Sequence, residues 1–309
     1  MTTLLISHEA CFAHDPGSMH PEQPARLKAV LSALDGPEFE SLERRQAPRA
    51  EREQLVRAHP ADYVEQTLAS VPESGRAHLD SDTIVSAGSD EAALRAAGAV
   101  CAAVDAVMAG EAANAFCAVR PPGHHAEVAQ AMGFCLFNNV AVGALHAREK
   151  HGCGRIAVLD FDVHHGNGTQ AIFWNDPDLM LISSHQVPLY PGSGSAVERG
   201  CANNILNLPL DPMSGAETFR ETWREQALPR LASFDPDFIF ISAGFDAHEA
   251  DPLAALRLEE EDFSWITSEI LAVAVAACRG RVVSTLEGGY DLDALGRSAA
   301  AHVRALMAA

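Results

Sequence analysis

Short apolar runs recur along this chain and alternate with helical patterns, and that rhythm limits the folds open to it. Thr3–Ser7, Ala115–Val119, Ile156–Leu159, Leu179–Ser183, Ile205–Leu208, Phe238–Ser242 and Val282–Leu286 are strand-length and nearly continuously apolar. Strands of that kind are buried on both faces, as in a parallel sheet. Helical patterns fill the gaps: Ala25–Leu34, Ser89–Met108, Asn138–Lys150, Ala216–Leu231, Glu259–Ala277 and Leu292–Met307. Ser89 with Asp90 and Glu91 is a helix start, a capping hydroxyl followed by acids in the first turn. The pattern predicts an α/β fold with helices on both faces of a parallel sheet. No repeat, linker or low-complexity stretch interrupts it, so residues 1–309 read as one domain.

Composition narrows the function classes. Lys+Arg number 22 against 42 Asp+Glu, a net charge of −20. Nucleic-acid binding needs a basic footprint, which this balance lacks. Seven scattered cysteines, an odd number without a CxxC pair, suggest reduced thiols and a cytoplasmic protein. The amino terminus has neither a signal-peptide pattern nor a membrane-spanning run.

In open α/β sheets ligands gather at the carboxyl ends of the strands. Asp160-Phe161-Asp162-Val163-His164-His165-Gly166-Asn167-Gly168 follows the run Ile156–Leu159 directly. Strand alternation puts Asp160, Asp162 and His164 on one side, and carboxylate with imidazole is a metal-ligand set. Gly166 and Gly168 are expected to let the backbone approach a ligand closely. Three more polar clusters end strands: Arg120-Pro121-Pro122-Gly123-His124-His125-Ala126, Ser242-Ala243-Gly244-Phe245-Asp246-Ala247-His248 and Glu287-Gly288-Gly289-Tyr290. Together they supply metal ligands, two bases and a hydroxyl donor, the inventory of metal-assisted hydrolysis.

These clusters, in this order and with the N-terminal His20-Pro21-Glu22-Gln23-Pro24-Ala25-Arg26-Leu27, resemble the histone deacetylase superfamily, and within it class II-like bacterial deacetylases and acetylpolyamine amidohydrolases. The resemblance implies an arginase-like three-layer α/β/α fold with a mostly parallel sheet of about eight strands. It implies zinc, with iron(II) as the cellular alternative, on Asp162, His164 and Asp246. His125 would be the general base, held by Asn167. His124 would be held by Asp160, and Tyr290 would donate to the oxyanion. Asp160, Asp162, His164, Ser183 and Ser184 would surround an inner structural potassium, and Phe173, Asp176 and Leu179 a second one. Gly133, Phe134, Tyr190 and Leu253 would line a substrate tunnel, with Arg26 near an internal product channel. His165 and His248 are left without a chemical role.

The implied activity is hydrolysis of N-acetyl-lysine or a similar acyl-amine. Leu253, after Asp251-Pro252, favours acyl-lysine over a charged polyamine, while Glu22, Glu127 and the acidic composition keep acetylpolyamines open. An acyl-lysine binding module without turnover is the non-enzymatic alternative. No heptad or apolar stripe marks an oligomer interface.

Overall fold

The computed structural model describes residues 2–309. Its strands are β1 (Thr3–Ser7), β2 (Glu43–Gln46), β3 (Arg76–His78), β4 (Ile84–Ser86), β5 (Asn114–Cys117), β6 (Ile156–Asp160), β7 (Leu179–Gln186), β8 (Ile205–Leu210), β9 (Phe238–Ala243) and β10 (Val282–Leu286). Eight of them form one sheet in the order β2-β1-β5-β10-β9-β6-β7-β8, with every pairing parallel. β3 and β4 make a separate antiparallel hairpin.

The helices are α1 (Pro24–Ala33), α2 (Arg52–Leu55), α3 (Ala61–Ala69), α4 (Ser89–Met108), α5 (Asn139–His151), α6 (Asn167–Phe173), α7 (Ala216–Thr222), α8 (Leu228–Phe234), α9 (Glu260–Cys278) and α10 (Leu292–Met307). α4 and α5 pack together over β1, β5, β9 and β10, while α9 and α10, with α1 beside α10, form the second helical layer over β5 and β9. Central strands β5, β6, β9 and β10 are buried along their whole length, which is why they read as unbroken apolar runs.

Three departures from the sequence reading have local causes. β2 is Glu-Arg-Arg-Gln, half-exposed and paired on one side only, so no apolar run announces it. The helix expected over Ala216–Leu231 runs on to Phe234 and widens into a π turn at Trp223–Ala227. Pro229 follows that turn; it lacks an N–H and crowds the carbonyl four residues back, and a wider turn relieves both. β6 stops at Asp160, so Asp162 and His164 are grouped by the loop after the strand and not by strand alternation.

The sheet order brings the chemistry together. The four polar clusters follow β5, β10, β9 and β6, which are consecutive neighbours in the sheet. With strands about 4.8 Å apart, their carboxyl ends fall within one small patch. No helix among the described residues is long and apolar enough to cross a membrane.

Candidate active site

Asp162, His164 and Asp246 are buried, and their ligand atoms lie within 4.8 Å of one another. His164 Nδ1 faces both carboxylates, 3.1 Å from Asp162 Oδ1 and 3.0 Å from Asp246 Oδ2. Backbone amides aim the carboxylates: Gly288 N donates to Asp162 Oδ2 at 2.8 Å, His164 N to Asp162 Oδ1 at 2.9 Å and Val163 N to Asp246 Oδ1 at 2.8 Å. Glycine is required around them. A Cβ at Gly244 would stand 2.0 Å from Asp162 Oδ2, and one at Gly288 2.1 Å from Asp246 Oδ2. Burial and the neighbouring Asp162 carboxylate push Asp246 up to about 7, as expected for two acids held together out of water. Two carboxylates and an imidazole suit a divalent ion, and the three residues fit one.

His124 and His125 follow β5 and stack with ring centroids 4.0 Å apart. Their second partners differ. His124 Nδ1 is 2.9 Å from Asp160 Oδ2, and His125 Nδ1 is 2.8 Å from Asn167 Oδ1. Burial opposes charge on His124, but Asp162 and Asp160 outweigh it and hold its pKa well above the ordinary imidazole range. Burial, with His124 and His164 alongside, drives His125 well below that range. One ring is therefore biased to imidazolium and its neighbour to neutral imidazole. Gly166 and Gly168 do allow close approach, but to protein rather than a ligand: a Cβ at Gly168 would lie 2.2 Å from Ala126 O.

A cavity of about 250 Å³ leads to this cluster, lined by Asp82, His125, Gly133, Phe134, His164, Leu189, Tyr190, Leu253 and Tyr290. It is below the usual range for drug-sized ligands. Phe134 packs edge-on to Tyr290 at 5.9 Å, and Tyr190 edge-on to His125 at 5.2 Å. The four expected tunnel residues are thus together. Arg26 is fully buried: it donates to Gly289 O and Glu287 O and covers the Tyr290 ring at 4.8 Å. Glu22 is equally buried, between Arg120, Arg26 and His14, and cannot read a polyamine from the surface.

Of the residues expected around potassium, Ser183 Oγ meets His185 Nδ1 at 2.9 Å, and Ser184 Oγ accepts from Trp223 Nε1 at 3.0 Å. The carbonyls of Phe173, Asp176 and Leu179 converge on Asn204 Nδ2. His165 bonds Ser193 and Gln170, and His248 accepts from Ala250 N; neither joins the metal cluster.

Sequence reasoning passed over Asp82 and named Asp251 and Glu287 only within motifs, without a role. Asp82, beside β4, accepts from Gly133 N and brings the hairpin to the tunnel wall. Asp251 accepts from Tyr290 N and Leu253 N, tying two lining residues together. Glu287 Oε2 accepts from Gly123 N and His124 N, joining the ends of β10 and β5. Each also reaches a backbone amide distant in sequence, a role that the motif around it does not announce.

A model of the histone deacetylase domain matches residues 20–306. The chain belongs to the histone deacetylase family. It is 42% identical over 278 residues to a histone deacetylase-like amidohydrolase of Pseudomonas aeruginosa, covering 88% of this chain and 73% of that protein. It is 38% identical to the type-2 histone deacetylase 2 of Dictyostelium discoideum over 99% of its own length, but spans only 21% of that protein. The crystal structure of the HDA15 HD domain superposes with a TM-score of 0.94 at 32% identity, covering 99% of this chain and 88% of that one. The fold is therefore the deacetylase-type α/β fold that the motifs implied.

Proposed function

We propose that this histone deacetylase family chain is a zinc-dependent amidohydrolase that removes the acetyl group from N-acetyl-lysine or a similar linear acyl-amine. The observation that carries the reading is a buried two-carboxylate, one-imidazole cluster at the end of a small cavity, beside a histidine pair in which a carboxylate backs one ring and an amide the other. A zinc ion, or iron(II) in its place, on Asp162, His164 and Asp246 would supply Lewis acidity, polarising an amide carbonyl and acidifying a water.

The chain's own groups do the rest. His125 takes a proton at Nε2 and returns it to the leaving amine. His124, hydrogen-bonded to Asp160, offsets the negative charge that develops. Tyr290 donates its hydroxyl to the oxyanion, and burial keeps that hydroxyl protonated by raising its pKa well above the ordinary phenol value. Phe134 and Tyr190 grip the methylene chain, and Leu253 supports an uncharged acyl-lysine over a polyamine. The same reading includes an inner potassium at Asp160, Asp162, His164, Ser183 and Ser184.

The test is a substrate panel on zinc-reconstituted protein: acetyl-lysine peptides, acetylputrescine and acetylspermidine, with Asp246→Ala and Tyr290→Phe as controls. Turnover of the peptides, lost in both variants, is expected. A higher kcat/KM on acetylpolyamines would move the assignment to a polyamine deacetylase. Tight binding of acetyl peptides without turnover would make the chain a binding module.

A further inference from the structure

Asn167 sits between His125 and Glu127. Its Oδ1 is 2.8 Å from His125 Nδ1, and its Nδ2 donates to Glu127 Oε1 at 2.8 Å. An amide has two unlike ends, and a carboxylate can only accept. Glu127 therefore decides which end of Asn167 faces His125. With the oxygen turned to the ring, Nδ1 carries the ring proton, and the lone pair is left on Nε2. Glu127 is itself fixed by a tight turn, its N–H donating to Gln130 O at 2.9 Å. Gly168 N and Thr169 N donate to His124 O, clamping the start of α6 against the histidine pair. His124 has no such requirement, because both ends of Asp160 are oxygens.

We propose that Glu127 is a positioning residue: by orienting the Asn167 amide it fixes His125 as the Nδ1–H tautomer, with Nε2 free to take a proton. The role rests on the hydrolytic reading above, but the tautomer can be read without turnover. Imidazole 15N shifts of His125 in the zinc-loaded protein should show Nδ1–H in the wild type and Nε2–H in Glu127→Lys, where a donor replaces the acceptor. In kinetics, Glu127→Lys should lower kcat at least about tenfold, the direction seen when a catalytic histidine is held in the wrong tautomer. Glu127→Gln, which can still offer an oxygen, should lose only a few fold. Asn167→Asp sets two carboxylates side by side and should be impaired, and the double change Asn167→Asp with Glu127→Gln should recover. Thermal melts exclude unfolded variants. An Nε2–H wild type, equal losses in the Gln and Lys variants, or no recovery in the double variant overturns the proposal. Correct tautomers in a protein that hydrolyses nothing would instead overturn only the hydrolytic reading.

A second inference stands on a different part of the molecule. Buried Asn204 directs its Nδ2 at three carbonyls, Phe173 O at 2.9 Å, Asp176 O at 3.1 Å and Leu179 O at 2.8 Å. Its Oδ1 accepts from Ala202 N and its backbone oxygen from Leu181 N, which sets the orientation of the amide. A ring of carbonyls is the donor set of a hard cation. Here an amide nitrogen is at its centre, so these residues do not fit a potassium as well. We infer that Asn204 takes the place of the second potassium, giving the loop after α6 a cross-link independent of cation concentration. Thallium(I) anomalous scattering from wild-type crystals should show no ion among these carbonyls, and finding one there overturns the inference. Asn204→Ala should acquire a rise in Tm between tetramethylammonium and potassium chloride that exceeds the wild-type rise, since both share any inner site. An equal rise in the two proteins would also count against it.

Discussion

Two carboxylate–imidazole clusters in this molecule have donor atoms within 4.8 Å of one another, Asp162–His164–Asp246 and Asp105–His146–His151. Composition alone does not separate them. Surroundings do. In the second, His146 Nε2 and His151 Nε2 both point at the single oxygen Asp105 Oδ1, at 2.9 and 2.7 Å, while Lys150 Nζ takes Oδ2 at 2.8 Å. Arg57 stands 2.8 Å from His146 Nδ1. Arginine cannot accept, so that nitrogen carries the lone pair and Nε2 carries the proton. The donor atoms there are already spent on protons and cations. In the first cluster no Lys or Arg side chain among the described residues bonds the carboxylates; backbone amides orient them, and His164 Nδ1 faces both. What marks a metal site is free lone pairs facing one point in a buried pocket, more than the presence of histidines and acids.

The sharpest way to break this comparison is to count metal. Asp162→Ala or Asp246→Ala should remove bound zinc and lower deacetylation on the order of a thousandfold or more. Asp105→Ala should leave elemental analysis unchanged at one zinc per chain. A loss of bound metal in Asp105→Ala would show that both clusters bind. Next in size is Tyr290→Phe, which keeps the metal and the tunnel but removes an oxyanion donor. Its kcat should fall about 10²–10³-fold with little change in KM, and a rise in KM alone would make Tyr290 a binding wall.

The contrast between these clusters also shows what the sequence carries. The site motifs are legible because each follows an apolar strand at once, as Asp160–Asn167 follows Ile156–Leu159 and Glu287–Tyr290 follows Val282–Leu286. Convergence is not legible in the same way. It depends on β10, the last strand of the chain, inserting between β5 and β9, which no local pattern encodes. Asp105 and His146 lie on helices far apart in sequence, and their meeting follows from the packing of α4 on α5. The β3–β4 hairpin has strands of three residues and is defined by what it touches, with Asp82 and Thr83 holding Gly133 and Phe134. Roles such as the division of labour between His124 and His125 came through family resemblance. The structure places Asp160 beside one ring and Asn167 beside the other, the two partners that the resemblance implied.

A buried histidine outside both clusters gives a smaller effect of definite sign. His302 lies between α9 and β10, 2.6 Å from Thr267 Oγ1 and 2.8 Å from Ser284 Oγ, with no acid bonded to it. Burial pushes its pKa from 6.5 down to about 3. Its imidazole is then less protonated folded than unfolded, so unfolding takes up a proton below the unfolded pKa. Stability should fall as pH drops from 6.5 toward 3, by at most about 1.4 kcal/mol per pH unit from this group. Chemical denaturation at pH 7 and pH 5 should show a shallower acid loss in His302→Gln, which keeps hydrogen bonding and removes the titration. An unchanged slope would assign acid sensitivity to other groups.

The smallest effect belongs to Asp105, and it separates an electrostatic patch from a hidden metal site. Burial opposes its charge, but Lys150, His151 and His146 outweigh that and hold its pKa at about 2. An acid with a depressed folded pKa stabilises the fold above its unfolded pKa, and that contribution is lost as pH falls toward 2. More than a third of the side chain is exposed, so solvent screens it and the net contribution stays below about 1 kcal/mol. Asp105→Asn keeps an acceptor for His146 and removes the charge. Its Tm should sit slightly below wild type at low salt, and the gap should close in about 1 M NaCl, where the Debye length is about 3 Å. A gap that survives high salt and grows when wild type is given zinc would mean that the cluster is held by a metal and not by its own protons.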